Sequence, residues 1–268
     1  MPELPEVETV RRQLEPRLVG RRLLDAGSHP SAKFTPALDA VGSTVAGVGR
    51  RGKFLLVALD DDRELVIHLG MTGCLRFRPG VADVSDPYLR AWWLLEGDEA
   101  LEYADVRRFG RLRVVPTGRY SDLPTLAALG PEPFDPALTG TELWRRLRTS
   151  SRAVKTQLLS QRPVAGVGNI YADEALWLAR IAPTARRLSA RRAAALLDAL
   201  REALSQGLDH GGTTLRNYRT VEGGSGANQH HLHAYGRAGL PCERCGAILR
   251  STVLDARTTT WCPRCQAR

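Results

Sequence analysis

With 268 residues the chain is long enough for one large domain or two smaller ones with a real core. Apolar residues make up 43% and charged residues 25%, as expected for a soluble globular protein. The 38 Lys and Arg against 29 Asp and Glu leave a formal charge of +9, which favours polyanionic partners, nucleic acid ahead of acidic membrane.

The opening Met1-Pro2-Glu3-Leu4-Pro5-Glu6 is acidic and proline-containing, unlike a signal peptide. No apolar run approaches the roughly 18 residues a membrane span requires. Leu4, Val7, Val10, Leu14 and Leu18 recur at helical spacing, with Pro5 suited to a first turn and Gly20 to an end. Pro16 falls inside this pattern, so a kink or stop is expected near Glu15. Short apolar or β-branched segments follow at 54–59, 65–69, 75–77, 91–95 and 112–115, divided by turn clusters such as Asp60-Asp61-Asp62 and Gly97-Asp98. They predict a sandwich or barrel. After Pro116 a connection runs through Gly130-Pro131-Glu132-Pro133, and the next segments are helical. The clearest helix spans 190–208, with Leu196, Leu197, Leu200, Leu204 and Leu208 on one face. Residues 211–226 are polar and Gly-rich and predict a mobile loop.

Four of the five cysteines lie at the C-terminal end, as Cys242-x2-Cys245 and Cys262-x2-Cys265 with sixteen residues between the pairs. That is the spacing of a four-cysteine zinc site, with a hairpin over 248–253 and 258–261 joining the two knuckles. Two disulfides are the alternative, disfavoured because the chain reads as cytosolic. Four thiolates fill a tetrahedral shell and leave no position for water or substrate, so one structural zinc is expected. Arg244, Arg250, Arg257 and Arg264 decorate the module and could meet phosphates, or simply be solvated. Cys74 lies in a strand-like segment and reads as a buried small hydrophobe.

The segments Met1–Val10, Arg51–Leu56, His68–Met71, Arg107–Gly110, Gly166–Ala172, Gly211–Leu215 and Tyr235–Arg237, followed by the finger, appear in the order found in formamidopyrimidine-DNA glycosylases, and the chain resembles that family over nearly its whole length. The resemblance implies an α+β chain of two domains. A two-sheet β-sandwich with a leading helix would occupy 1–116 and a linker 117–134. A helix–two-turn–helix domain with a lesion-capping loop would span 135–235, and the zinc finger 236–268, with DNA in the cleft between the domains. It implies removal of oxidised purines, 8-oxoguanine and formamidopyrimidines, followed by AP lyase cleavage. The partner would be double-stranded DNA with oxidised bases or abasic sites, met by a monomer in the cytoplasm at the nucleoid, with no membrane.

A base inside a duplex must be flipped out before it is attacked. The family's nucleophile is the N-terminal proline freed of methionine, here Pro2, whose amine would form a Schiff base as a lysine does. A free α-amine has a pKa of about 7.7–8.0, so part of it is neutral near pH 7. A helix beginning at Pro5 would lower that pKa, and Glu3 and Glu6 would raise it. Glu3 matches the catalytic acid and Lys53 the lysine beside the damaged nucleotide. Met71, Arg107 and Phe109 match the residues that fill the gap left by the flipped base, with core packing the alternative for Met71 and Phe109. Lys155, Asn169, Tyr235 and Arg257 match DNA contacts, the first two and the last to phosphates, and Arg216 belongs to the capping loop. His68 is a further backbone contact or a satisfied strand histidine. Gly166-Val167-Gly168-Asn169 lacks the preceding strand and third glycine of a nucleotide loop, and reads as the tight turn of the helical element.

Two departures stand out. Val106 follows Asp105 where the family has proline, which bears on the rigidity of the wedge loop, and Arg216 stands where lysine is frequent. His230, His231 and His233 could suggest a second metal, but solvated loop histidines are the simpler account. Two other functions compete with purine repair: an endonuclease VIII-like oxidised-pyrimidine glycosylase, and a non-catalytic zinc-containing DNA-binding protein. The Leu4-Pro5, His68–Met71 and Arg107–Phe109 motifs favour the purine branch, and a mere binder would not need Pro2.

Overall fold

The computed structural model describes residues 1–215 and 218–266. Two compact units emerge, Met1–Ala127 with His210–Ala227, and Ala128–Asp209 with Asn228–Arg268. Among the described residues no helix is long and apolar enough to cross a membrane.

The first unit opens with helix α1 (Leu4–Leu18), whose apolar positions Leu4, Val7, Val10, Leu14 and Leu18 are each at most 2% exposed. Pro5 lies in the first turn, where an amide would have no intrahelical acceptor anyway. Pro16 does not stop the helix, contrary to expectation. It sits in the last turn on the exposed side, and the burial of Leu14 and Leu18 outweighs the one hydrogen bond it removes. Gly20, at φ +84°, then turns the chain.

Eight strands follow: β1 (Leu23–Ser28), β2 (Val45–Arg51), β3 (Phe54–Leu59), β4 (Arg63–His68), β5 (Gly73–Pro79), β6 (Leu89–Leu95), β7 (Glu99–Asp105) and β8 (Arg111–Pro116). They pair antiparallel in two four-stranded sheets, ordered β1-β6-β7-β5 and β2-β3-β4-β8. Leu55, Val57, Ile67 and Leu112 of one sheet share a core with Leu75, Trp93, Leu101 and Tyr103 of the other and with the apolar stripe of α1. Each such side chain contributes about 1.5–3 kcal/mol by leaving water. Trp93 is fully buried, and its indole donates to Ala37 O at 2.9 Å. A short helix, α2 (Pro124–Ala127), completes this part of the unit.

Three of the eight strands do not register as apolar runs. β1 and β2 are sheet edges with many exposed positions, and β2 carries Gly47 and Gly49. β7 is interrupted by Glu102 and Asp105, both 0% exposed. Glu102 is nonetheless satisfied, pairing with Arg76 at 2.6 Å and Arg78 at 2.9 Å. Cys74 is half-buried rather than fully enclosed, and burial pushes its thiol pKa up.

The segment His210–Ala227, expected as a mobile part of the helical domain, is fastened in its described residues to α1. Thr213 N donates to Glu6 Oε1 at 2.7 Å, Val221 N to Gln13 Oε1 at 2.9 Å, and Tyr218 is 8% exposed.

In the second unit, α3 (Gly140–Leu147), α4 (Val154–Leu159), α5 (Asn169–Leu178) and α6 (Ala190–Asp209) precede a hairpin of β9 (Arg250–Leu254) and β10 (Arg257–Trp261). α6 packs on α3 and α5 through Leu196, Leu197, Leu200 and Leu204, while Leu208 is half-buried. Gly207, inside α6, lies against Tyr171. A Cβ there would stand 2.4 Å from the hydroxyl and 2.6 Å from a ring carbon of that fully buried side chain. Helix propensity favours Gly207→Ala by about 1 kcal/mol, but overpacking a rigid ring costs about 1–3 kcal/mol. The substitution is therefore expected to destabilise the second unit. Thermal or urea unfolding of the variant checks it, and a gain in stability would show that the ring yields.

Candidate active site and nucleic-acid contacts

Pro2 and Glu3 are buried immediately ahead of α1, with Met1 46% exposed before them. The residue that organises them is Glu6, which was not among the expected site residues. Its carboxylate, on a residue 1% exposed, accepts the N–H of Glu3 at 2.7 Å and that of Thr213 at 2.7 Å. Gly212, at φ +89°, passes so close that a Cβ would come within 2.9 Å of the Glu6 side chain. One carboxylate thus joins the start of the helix to the segment that carries the capping-loop motif. Glu three residues after a helix N-cap is the capping-box spacing, so the signal was available in the sequence.

Lys53 follows Gly52 (φ +55°) at the turn from β2 to β3 and is 2% exposed. Across the sheet Phe54 faces His68, their rings 4.7 Å apart. Burial, reinforced by the charges of Lys53 and Arg111, pushes the His68 pKa down to about 4. A histidine so placed is neutral near pH 7 and can offer a phosphate a hydrogen bond without a charge. Stability gained from keeping it neutral is complete above the ordinary value of about 6.5 and is lost as pH falls towards 4.

Met71 and the pair Arg107 and Phe109 lie on two loops that the structure brings together through a buried polar bracket. Asp105, 0% exposed, accepts from Thr72 Oγ1 and from Gly110 N at 2.8 Å, and Thr72 Oγ1 accepts from Arg107 N at 3.0 Å. Gly110 must be glycine here, since a Cβ would meet the Tyr103 hydroxyl at 1.7 Å. The loop's shape therefore rests on Asp105 and Thr72 and needs no proline at Val106. Outside the bracket, Arg107 and Phe109 are exposed, with the guanidinium 4.6 Å from the ring centre. Phe109 and His68 also line a cavity of about 210 Å³ with Phe54 and Arg111.

In the second unit the four cysteine sulfurs of 242, 245, 262 and 265 lie within 4.8 Å of one another, and all are free of disulfides. Zinc–sulfur bonds of about 2.3 Å in a tetrahedron put sulfurs about 3.8 Å apart, so the set fits one structural zinc. Cys245 and Cys262 sulfurs stand 3.5 Å apart, far beyond a disulfide bond of about 2.05 Å. Among the described residues this is the cluster with ligand geometry. His233 is engaged otherwise, 2.6 Å from Glu243.

Asn169 begins α5 and donates from Nδ2 to Thr258 O at 2.9 Å, so its amide ties the two-turn element to β10. Arg257 is exposed at the start of β10, just after a turn in which Asp255 and Ala256 both have positive φ. Tyr235 is half-buried, its N–H held by Glu174 Oε1 at 2.8 Å. Arg216 lies outside the described residues.

Lys155 requires a correction. Its side chain is 0% exposed, 2.6 Å from Asp173 Oδ1, and donates to Thr259 Oγ1 at 2.7 Å and Thr258 O at 3.2 Å. Burial raises Asp173 to a pKa of about 6 despite the lysine. An ammonium so enclosed supports β10 from within and presents nothing to a phosphate. Sequence motifs cannot distinguish an exposed basic residue from one that supports a strand from within.

The chain matches three family descriptions in succession: the formamidopyrimidine-DNA glycosylase N-terminal domain over residues 1–112, the formamidopyrimidine-DNA glycosylase H2TH domain over 129–219, and the zinc finger found in FPG and IleRS over 239–268. It is 44% identical to the formamidopyrimidine-DNA glycosylase of Deinococcus radiodurans, covering 99% of this chain and 97% of that protein. The crystal structure of the MutM (Fpg) protein from Thermus thermophilus superposes with a TM-score of 0.92 at 45% identity, over 100% of this chain and 99% of that one. A Lactococcus lactis Fpg mutant, in complex with a Fapy-dG containing DNA, does so with 0.90 at 34% identity over 100% of both. This chain belongs to the formamidopyrimidine-DNA glycosylase family.

Proposed function

We propose that the chain excises oxidised purines, 8-oxoguanine and formamidopyrimidines, from duplex DNA in the cytoplasm at the nucleoid, and then cleaves the strand at the abasic site by β,δ-elimination. The observation that carries this reading is the buried pair Pro2-Glu3, held by Glu6 at the head of α1. After methionine removal the Pro2 amine attacks the anomeric carbon and the base leaves. Glu3 protonates the sugar ring oxygen, so the ring opens to an iminium. The iminium acidifies the neighbouring C–H, and two eliminations release the flanking phosphates. Lys53 holds the phosphate beside the damaged nucleotide.

Met71 and Phe109 fill the gap that flipping leaves, which offsets the few kcal/mol of lost stacking. Arg107 reads the base left unpaired, and Arg216 caps the lesion. Asn169, Tyr235, Arg257 and His68 contact the DNA backbone, while Lys155 positions β10. The single zinc, bound by Cys242, Cys245, Cys262 and Cys265, shapes the finger that carries Arg257.

Borohydride is expected to cross-link the protein to a duplex containing 8-oxoguanine, and retention of Met1 or Pro2→Gly should abolish most of this product. Base release by the wild type with no trappable adduct would refute the proline mechanism, and binding without release would leave a DNA-binding protein.

Arginine offers donors alone, in a fixed fork. Cytosine presents two adjacent acceptors where adenine presents one acceptor beside a donor, so Arg107 should favour cytosine by about 1–3 kcal/mol. Excision of 8-oxoguanine measured opposite each of the four bases should strongly prefer cytosine over adenine in the wild type. Arg107→Ala should lose most of that gap. Uniform slowing at every pairing would reassign Arg107 to a wedge or phosphate role.

The two kinds of backbone contact can be separated by salt. Arg257→Ala should flatten the dependence of log affinity on log salt by about one ion. His68→Ala should weaken binding with the slope unchanged, because the imidazole is neutral at pH 7. A slope change in the histidine variant would mean that DNA protonates it.

A further inference from the structure

Trp177 stands against the zinc finger with its one polar atom aimed at a metal ligand. The residue is 4% exposed, lies in the last turn of α5, and shares an apolar cluster with Ala234, Cys242, Leu249 and Cys262. Its indole Nε1 is 3.4 Å from Cys242 Sγ. The His233 ring stacks on it at 4.6 Å with a 10° tilt, and the Arg244 guanidinium sits 3.7 Å from the ring centre. Arg244 also donates to Trp177 O at 2.6 Å and Leu178 O at 3.2 Å. One turn earlier on α5, Glu174 accepts the N–H groups of His233, Ala234 and Tyr235 at 2.8, 2.9 and 2.8 Å. The ring is thereby fixed from both the helix and the finger. An indole has one donor and no acceptor, and leaving that donor buried and unpaired is costly, so its partner is a matter of design. A phenylalanine would keep an aromatic ring against the finger without addressing the sulfur.

Four thiolates around one zinc ion leave the centre with an excess of negative charge, and electron-rich sulfur is where electrophiles and peroxides attack. An N–H···S bond withdraws electron density from the sulfur it meets. We propose that Trp177 guards Cys242 against oxidation, so that the finger keeps its metal in the presence of the same peroxides that damage DNA bases. In the reaction it slows, the sulfur attacks one oxygen of hydrogen peroxide. An S–O bond forms and the O–O bond breaks, leaving the sulfenic acid, while hydroxide departs and is protonated to water by the buffer. The sulfur loses two electrons, the peroxide gains them, and the oxidised sulfur no longer binds zinc as a thiolate does. The benefit of this protection rests on the repair function proposed above. The chemistry does not, and the test reads zinc and sulfur alone.

Full-length Trp177→Phe, loaded with zinc, should release the metal to a chromogenic chelator under hydrogen peroxide about three- to tenfold faster than wild type, the rate equivalent of one ordinary hydrogen bond. Without peroxide both should retain it. Mass spectrometry of partly oxidised protein should find Cys242 among the last of the four ligands modified in the wild type and among the first in the variant. A second measurement needs no variant. In wild-type protein with cadmium-113 in place of zinc and nitrogen-15 in its tryptophans, the Trp177 indole proton should show a through-hydrogen-bond coupling to the metal. Absence of that coupling, or equal release rates, overturns the proposal. If the variant fails to hold metal even without peroxide, the cadmium coupling decides.

Discussion

The geometry of the first unit depends on the carboxylate of Glu6. A buried negative charge is strongly disfavoured unless hydrogen bonds replace the water it has lost, and here two backbone amides do so, one from Glu3 and one from Thr213. These amides belong to segments over two hundred positions apart in sequence, so one carboxylate ties the two together. The backbone of Glu3 is fixed by the same contact, and Pro2 precedes it directly. Gly212, which precedes Thr213, has a positive φ and approaches Glu6 so closely that no side chain is admitted. The anchor is 1% exposed, so bulk solvent does not loosen it.

The same device recurs wherever an exposed group has to be aimed. Arg107 and Phe109 project from a loop whose ends are closed by Asp105, and Arg257 projects from a hairpin backed by Lys155 and Asp173. Tyr235 follows a chain segment whose three consecutive amides end on Glu174. In each case the residue in contact with solvent is mobile in principle, and the buried charge behind it removes that freedom before any ligand arrives. Ordering the loop in advance leaves less entropy to be lost on binding.

Much of this was legible in the sequence. The stripe of α1, the leucine face of α6 and the paired cysteine spacing are periodic signals that local chemistry enforces, and each survives in the fold. The motifs named Pro2, Glu3 and Arg107 through resemblance, which physical reasoning from isolated residues could not have done. What escaped was long-range pairing. β7 hid because Glu102 and Asp105 look like surface residues until Arg76, Arg78 and Thr72 are seen beside them. β1 and β2 hid because edge strands need not be apolar on both faces. Pro16 does not end α1, since a break rule for helix interiors weakens in a last turn held by buried leucines. Lys155 is hard to place from sequence for a related reason: a positive charge in a basic chain reads as a phosphate contact until its carboxylate partner, Asp173, is seen.

The choice between the two basic side chains follows from these environments. Of the 38 basic residues three are lysines, Lys33, Lys53 and Lys155, and two of them are buried. Arginine's planar fork suits phosphates and carboxylates met edge-on, and it stays charged in any setting, so it serves the surface well. At Lys155 the demands differ. Asp173, Thr259 and Thr258 present acceptors to a single nitrogen, and an ammonium with three donors answers all three from one compact point. A guanidinium there would be too broad and would leave donors unpaired. Lys33 likewise uses its ammonium on one backbone carbonyl, that of Arg108 in the loop between β7 and β8, at 2.9 Å. Arginine thus supplies the general attraction for a polyanion, while lysine is kept at sites where one small charge must be placed within the fold.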